Sequence, residues 1–243
     1  MKRIKLTLCY DGAKFFGSQN QNNKKMPTII GQLQDAFSTL GVKNPLQASG
    51  RTDRGVHALH QVCHIDIPLY FTDLTKLQKS LNKLIKPYIY IDKIEDVSAN
   101  FHARFSAKMR LYRYIISHNK YNPIQADYVL FLSKLDVSSL HNSAQCFVGT
   151  HDFGYFKKKG TPTKTDIRTI CKAGAYTYQN YTIIYFLGSS FLRTQVRFMC
   201  DFLLKIEQQV ATKKDLYRQI NQEARINMTP VPAQGLYLCR IFY

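Results

Sequence analysis

The chain has 243 residues, 45% of them hydrophobic, enough for one large domain or two small ones around a substantial core. Lys and Arg number 34 against 16 Asp and Glu, a formal charge of +18, which favours a polyanionic partner such as nucleic acid or an anionic lipid surface. No apolar run is long enough to span a membrane, and the charged, then alternating N-terminus reads as a first strand and not as a signal peptide.

Residues 3–10 alternate, with Ile4, Leu6 and Leu8 on one face, as a half-buried strand does. A polar stretch over 19–25 leads to Pro27 and Thr28. Ile29, Ile30, Leu33, Ala36, Phe37 and Leu40 then recur at helical spacing, and Gly41 can end that helix. A glycine-bounded turn from Gly50 to Ala58 precedes a strand over 61–67. Residues 73–86 read as an amphipathic helix through Leu74, Leu77, Leu81, Leu84 and Ile85. Pro87 stops it, and a strand follows over 88–94.

A second unit begins near residue 100, which divides the chain into an N-terminal half over 1–99 and a C-terminal half over 100–243. Residues 105–117 carry a long strand pattern. A helix is expected over 136–148, with Asp136 or Ser138 as its cap. A basic loop over 156–164 contains Lys157, Lys158, Lys159 and Lys164. Strands over 168–178 and 181–187 precede helices over 190–209 and 213–224, and residues 235–243 close the chain as a strand. Hairpins outnumber regular βαβ alternation, which predicts an α+β sheet with helices on one face. Cysteines 9, 63, 146, 171, 200 and 239 are scattered without a C-x-x-C pair, which suits buried thiols in the reducing cytoplasm.

The turn holds the chemistry. Gly50-Arg51-Thr52-Asp53-Arg54-Gly55 places a single carboxylate between two arginines beside a rigid strand. The cations would keep Asp53 ionised at neutral pH, although a surface turn closed by a salt bridge has the same pattern. His57, His60 and His64 would form a metal-binding face on a helix, but residues 62–67 alternate as a strand and no further ligand joins them. Gly50–Gly55 lacks the Gly-Lys-Ser/Thr ending of a phosphate loop, and no dinucleotide fingerprint appears. Neither a metal nor a cofactor is expected. Tyr112 and Tyr114 would share one strand face, where a ring can stack on a base or pack into the core. Arg197, in the segment Phe191-Leu192-Arg193-Thr194-Gln195-Val196-Arg197 near the start of a helix, can reach a carboxylate or face solvent.

These segments taken together resemble the TruA-type tRNA pseudouridine synthases almost from end to end. The opening Tyr10-Asp11-Gly12 with Phe16, Gly17 and Gln19 is similar to theirs, as is Thr28 through Leu33. The signature is Gly50–Ala58 with Gln61, Val62 and His64. Phe101–Ala107 with Tyr112-Arg113-Tyr114 is a second block, followed by Gly149-Thr150-His151-Asp152-Phe153, by Phe191-Leu192 with Val196-Arg197, and by Pro232-Ala233-Gln234-Gly235-Leu236-Tyr237. Two departures stand out: Ser18 where the family usually has Trp, and Phe198-Met199-Cys200 where it has small or polar residues.

The resemblance implies two ferredoxin-like (RRM-like) halves sharing a mainly antiparallel sheet, with a central basic cleft. It implies a cytoplasmic homodimer acting on uridines 38, 39 and 40 of the tRNA anticodon stem-loop, without a cofactor. It implies that Asp53 is the catalytic aspartate, that Tyr112 contacts the target base, that Arg197 pairs with Asp53, and that Arg51 takes part in base extrusion or phosphate contact. Phe101, His102, Ala103, Arg104 and Phe105, and the loop Gly160, Thr161, Pro162, Thr163 and Lys164, are implied in tRNA contact. A noncatalytic RNA-binding module competes poorly, because Tyr112-Arg113-Tyr114 lacks the glycines of an RNP strand. A metal-dependent nuclease would need clustered carboxylates that the sequence does not offer.

Overall fold

The computed structural model describes residues 1–19, 26–160, 163–227 and 229–243. The fold is mixed α+β, with mainly antiparallel strands and five α-helices among the described residues. It separates into two compact units, Met1–Lys108 with Leu238–Tyr243, and Met109–Tyr237. These units differ from a division at 99/100: residues 100–108 and the end of the last strand pack with the first unit.

In the first unit, β1 (Lys2–Tyr10) lies between β3 (His57–Ile67) and β4 (Ile89–Val97) and is antiparallel to both. Consequently β3 and β4 run parallel, and helix α2 (Leu74–Ile85) makes the crossover between them. A short β2 (Gln47–Ala48) pairs with β3, and the last strand, β10 (Leu236–Phe242), runs beside β3 as well. Ile4, Leu6 and Leu8 of β1 are fully buried, as their alternation requires.

Helix α1 (Ile29–Thr39) begins where Thr28 Oγ1 accepts the Gly31 N–H at 3.1 Å, and it buries Ile29, Ile30, Leu33 and Phe37. In α2, Asp73 accepts the Lys76 N–H at 2.8 Å, and Leu77, Leu81 and Ile85 face inward. The buried Asn82 both donates to and accepts from the backbone of Ile91, which fixes α2 on β4.

The second unit has strand order β5-β9-β8-β7, with each neighbouring pair antiparallel. These are β5 (Met109–Ser117), β7 (Gly149–Asp152), β8 (Ile167–Tyr178) and β9 (Tyr181–Gly188); a short β6 (Leu130–Phe131) runs parallel to the end of β5. Helices α3 (Val137–Ala144), α4 (Gln195–Glu207) and α5 (Lys213–Ile220) complete it. Phe147, Phe153, Phe156, Phe186 and Phe202 form a fully buried cluster with ring centroids 5.4–6.4 Å apart. Phe198, Met199 and Cys200 are buried as well, so that departure is absorbed as core.

Four expected elements are shorter than their patterns suggest; one is the helix expected over 213–224, which ends at Ile220. Residues 101–108 form a turn-rich segment, and the strand starts only at Met109. The helix expected from 190 starts at Gln195, because Thr194 is left-handed (φ 66°) and the Gln195 side chain accepts the Leu192 N–H at 2.7 Å. The helix expected to 148 ends at Ala144 and continues as one tighter turn. Strands β2, β6 and β7, of two to four residues, are too short to show alternation.

Candidate active site

Asp53 opens a four-residue turn in which the Val56 N–H donates to the Asp53 carbonyl at 3.2 Å. Gly55 has φ +80°, the conformation such a turn needs at its third position and glycine adopts without strain. Asp53 is half-buried and Arg51 exposed, while Thr52 between them is buried.

The turn is fixed by neutral hydrogen bonds to residues 10–18. The Thr52 N–H donates to Ser18 Oγ at 2.8 Å, the Ser18 N–H donates to the Thr52 carbonyl at 3.1 Å, and Tyr10 and Thr52 share a hydroxyl bond of 2.8 Å. The Gly12 N–H donates to Nδ1 of the buried His57 at 3.1 Å. The Asp11 carboxylate lies 3.3 Å from the same nitrogen. A Cβ on Gly12 would lie 2.0 Å from the Val56 carbonyl oxygen, so only glycine permits this approach. Before the turn, Gln61 donates to the Gly50 carbonyl at 3.2 Å and accepts from Ser49 Oγ at 2.6 Å.

Ser18 therefore carries a role that its sequence did not reveal. It stands where the resemblance leads one to expect Trp, is fully buried, and makes two of the bonds that hold the residue next to Asp53. Its departure from the pattern was the only signal.

The segment Phe101–Phe105 lies in the same unit and is anchored as firmly. Arg3 forms a two-pronged pair with Asp66 (2.7 and 2.8 Å) and also donates to the Ala99 and Phe101 carbonyls. His64 Nδ1 accepts the Ala103 N–H at 3.2 Å, and the Tyr243 hydroxyl donates to the Ala103 carbonyl at 2.7 Å. His64 is pushed down to about 4, chiefly by burial and then by the positive surroundings of His102 and Arg3, with Asp66 pulling the other way. His102 accepts from the N–H groups of Arg104 and Phe105, and its ring lies 4.3 Å from that of Phe105. Phe105 is thereby held outward, 76% exposed.

In the second unit, Tyr112 on β5 meets Phe191 edge to face, with centroids 5.1 Å apart. Tyr114, two residues on, is fully buried, and its hydroxyl donates to the Pro232 carbonyl at 2.9 Å. Arg197 sits in the first turn of α4, where its Nε donates to the Val231 carbonyl at 2.8 Å. Gly160, Thr163 and Lys164 are exposed on the basic loop; Thr161 and Pro162 lie outside the described residues.

That loop has an ionic clasp which sequence reasoning missed. Lys157 Nζ donates to both Asp166 oxygens (2.7 and 2.5 Å), and Thr163 Oγ1 donates to Oδ1 at 2.5 Å. Burial is the largest single influence on Asp166 and opposes its ionisation. The bonds from Lys157 and Thr163 together outweigh it and hold the carboxyl below its ordinary value. Among the described residues, no cluster of three His, Cys, Asp or Glu could hold a metal ion.

A family model described as tRNA pseudouridine synthase matches residues 8–106 and 143–243. The tRNA pseudouridine synthase A of Campylobacter jejuni subsp. jejuni serotype O:2 is 41% identical over 243 residues, covering all of both chains. Proteins of the same name from Helicobacter hepaticus and Helicobacter pylori are each 35% identical, again over the whole of both chains. The family signature around Asp53, the matches in both units and the full-length relatives lead to one conclusion: the chain belongs to the tRNA pseudouridine synthase family.

Proposed function

We propose that this protein isomerises uridine to pseudouridine at positions 38, 39 and 40 in the anticodon stem-loop of tRNA, with Asp53 as the reactive carboxylate. The observation that carries the reading is the signature turn, which presents Asp53 from a frame of buried neutral hydrogen bonds. The reaction breaks the N1–C1′ bond and forms a C5–C1′ bond, with no net redox change. Attack on the uracil ring, attack on C1′ and removal of a ribose proton are the routes open to one carboxylate, and each uses its ionised form.

Extruding the base from the stem-loop costs a few kcal/mol, which contacts between basic residues and phosphates can offset. In this reading Tyr112 contacts the extruded base, Arg197 is the counter-charge to Asp53, and Arg51 assists extrusion or meets a phosphate. Phe101–Phe105 and the loop over 160–164 touch the tRNA. We also read the two units as ferredoxin-like halves; the order β4-β1-β3-β2 with two helical crossovers supports this for the first. A cytoplasmic homodimer completes the proposal on the strength of the family resemblance, and light scattering on the purified protein tests its mass.

The decisive experiment incubates the protein with transcribed tRNA, without added metal, and maps pseudouridine. Wild type should convert anticodon-arm uridines, and Asp53→Asn should convert none while still binding tRNA. Conversion by Asp53→Asn at the normal rate removes Asp53 from the chemistry.

A further inference from the structure

Arg54 directly follows the proposed reactive carboxylate in the turn. It is exposed, and its guanidinium carbon lies 4.3 Å from the centroid of the Phe16 ring. That contact is close for a cation–π pair and restrains a side chain that would otherwise sample many rotamers. Phe16 is itself fixed, since its N–H donates to the Pro27 carbonyl at 2.9 Å. The next residue, Gly17, has φ +99°, and a Cβ there would come within 3.1 Å of the Thr52 carbonyl oxygen and 3.5 Å of the Arg54 nitrogen. The two backbones are therefore in direct contact, and the ring and the cation are set on neighbouring, interlocked segments.

The stack leaves the charge unneutralised. Arg54 forms no ion pair with an acid among the described residues, whereas Arg3 and Lys157 are each paired with an aspartate. An arginine whose face is occupied by a ring still offers its N–H donors, and those donors match phosphate oxygens better than any lysine can. In a chain of charge +18, a pre-positioned, unpaired guanidinium one residue from Asp53 suits an RNA strand entering the site.

We propose that Phe16 and Arg54 form a phosphate subsite, with Phe16 holding Arg54 against a backbone phosphate of the RNA strand beside the uridine presented to Asp53. This rests on the reading of Asp53 as the reactive group. Arg54 acts through binding, not chemistry, so its loss should appear in KM and in the salt dependence of affinity more than in kcat.

The test measures binding of transcribed tRNA between about 50 and 200 mM salt, together with steady-state kinetics, for wild type, Arg54→Gln, Arg54→Lys and Asp53→Asn. Arg54→Gln should bind more weakly and show a slope of log affinity against log salt shallower by about 1. Arg54→Lys keeps the charge and should retain the wild-type slope while losing part of the affinity. A wild-type slope in Arg54→Gln overturns the proposal, as does a slope in Arg54→Lys as shallow as in Arg54→Gln. So does a loss confined to kcat. Asp53→Asn separates the two readings: if it stays active the assignment of Asp53 fails, while the Arg54 slopes still decide whether a phosphate is bound.

Discussion

The turn that carries Asp53 and the described residues between 157 and 166 are both irregular, yet different physics fixes them. Neutral hydrogen bonds among buried groups hold the turn, from Ser18, Thr52 and Tyr10. One part-buried ion pair and a hydroxyl, Lys157, Asp166 and Thr163, hold the loop. Salt screens the second arrangement and leaves the first alone. Where a group proposed to react must stay within a fraction of an ångström, close-packed neutral contacts are the more rigid solution. A loop proposed to meet a large polyanion can be held by a clasp that responds to charge.

The largest expected effect attacks the packed frame directly. In Gly12→Ala the new Cβ would meet the backbone of Val56 at 2.0 and 2.4 Å, and backbone cannot rotate away. The segments over 10–18 and 52–57 must then separate, at a cost of about 3 kcal/mol and a midpoint lower by roughly 6–12 °C. Thermal unfolding measures this. A variant that melts with wild type would show that the interlock is not what holds the turn.

Acid should separate neutral from ionic anchoring in an order that intuition reverses. His64 holds Ala103 only through an unprotonated Nδ1. Its folded value near 4 lies below the ~6.5 of an unfolded histidine, so between these limits the unfolded chain binds more protons. This contribution is complete above the unfolded value and is lost as pH falls through the window, for a total on the order of 2–3 kcal/mol. Urea unfolding at pH 7 and near pH 4.5 should show the loss in wild type and a smaller one in His64→Gln. Equal losses in both would remove His64 as the cause.

Asp166 has the opposite sign. Its carboxyl is held below the ordinary value, so its stabilisation is present above the unfolded value of ~3.9 and disappears only as pH falls through the folded one. The ionic clasp should thus survive at pH 4.5, where the neutral His64 anchor is failing. Asp166→Asn is expected to cost about 1–2 kcal/mol at pH 7, since the pair is only part-buried. The deficit should shrink in high salt; a deficit independent of salt would mean that the loop is held by shape.

Much of this architecture was legible in the residue pattern, and most of the exceptions share a cause. Strand β1 and helix α2 follow from alternation and helical spacing because each buries one continuous face. The turn at Asp53 was legible because glycines and charges punctuate it. What stayed hidden depends on partners distant in sequence: Ser18 bonding Thr52, Gln61 bonding Gly50, and His64 bonding Ala103. A buried serine and a surface serine look alike until the chain has folded. Asp166 was invisible for a different reason: its partner Lys157, near in sequence, reads as one more cation in a basic run. The late start of α4 turns on one left-handed residue, Thr194, a type that rarely adopts that conformation and so gives no warning.

The smallest effect asks whether the clasp is one unit or two independent contacts. Thr163→Val keeps the shape of the side chain and removes the hydroxyl that donates to Asp166 at 2.5 Å and receives Lys157 at 3.2 Å. Because the site is exposed, the loss should be only about 0.5–1 kcal/mol. The pair of variants is more informative than either alone. If Lys157, Thr163 and Asp166 act together, removing the hydroxyl after Asp166→Asn should cost almost nothing, and the double-variant cycle should return nearly the whole single-variant effect as coupling. If the two losses simply add, the hydroxyl acts on its own stretch of loop, and the ion pair alone separates this region from the neutral frame around Asp53.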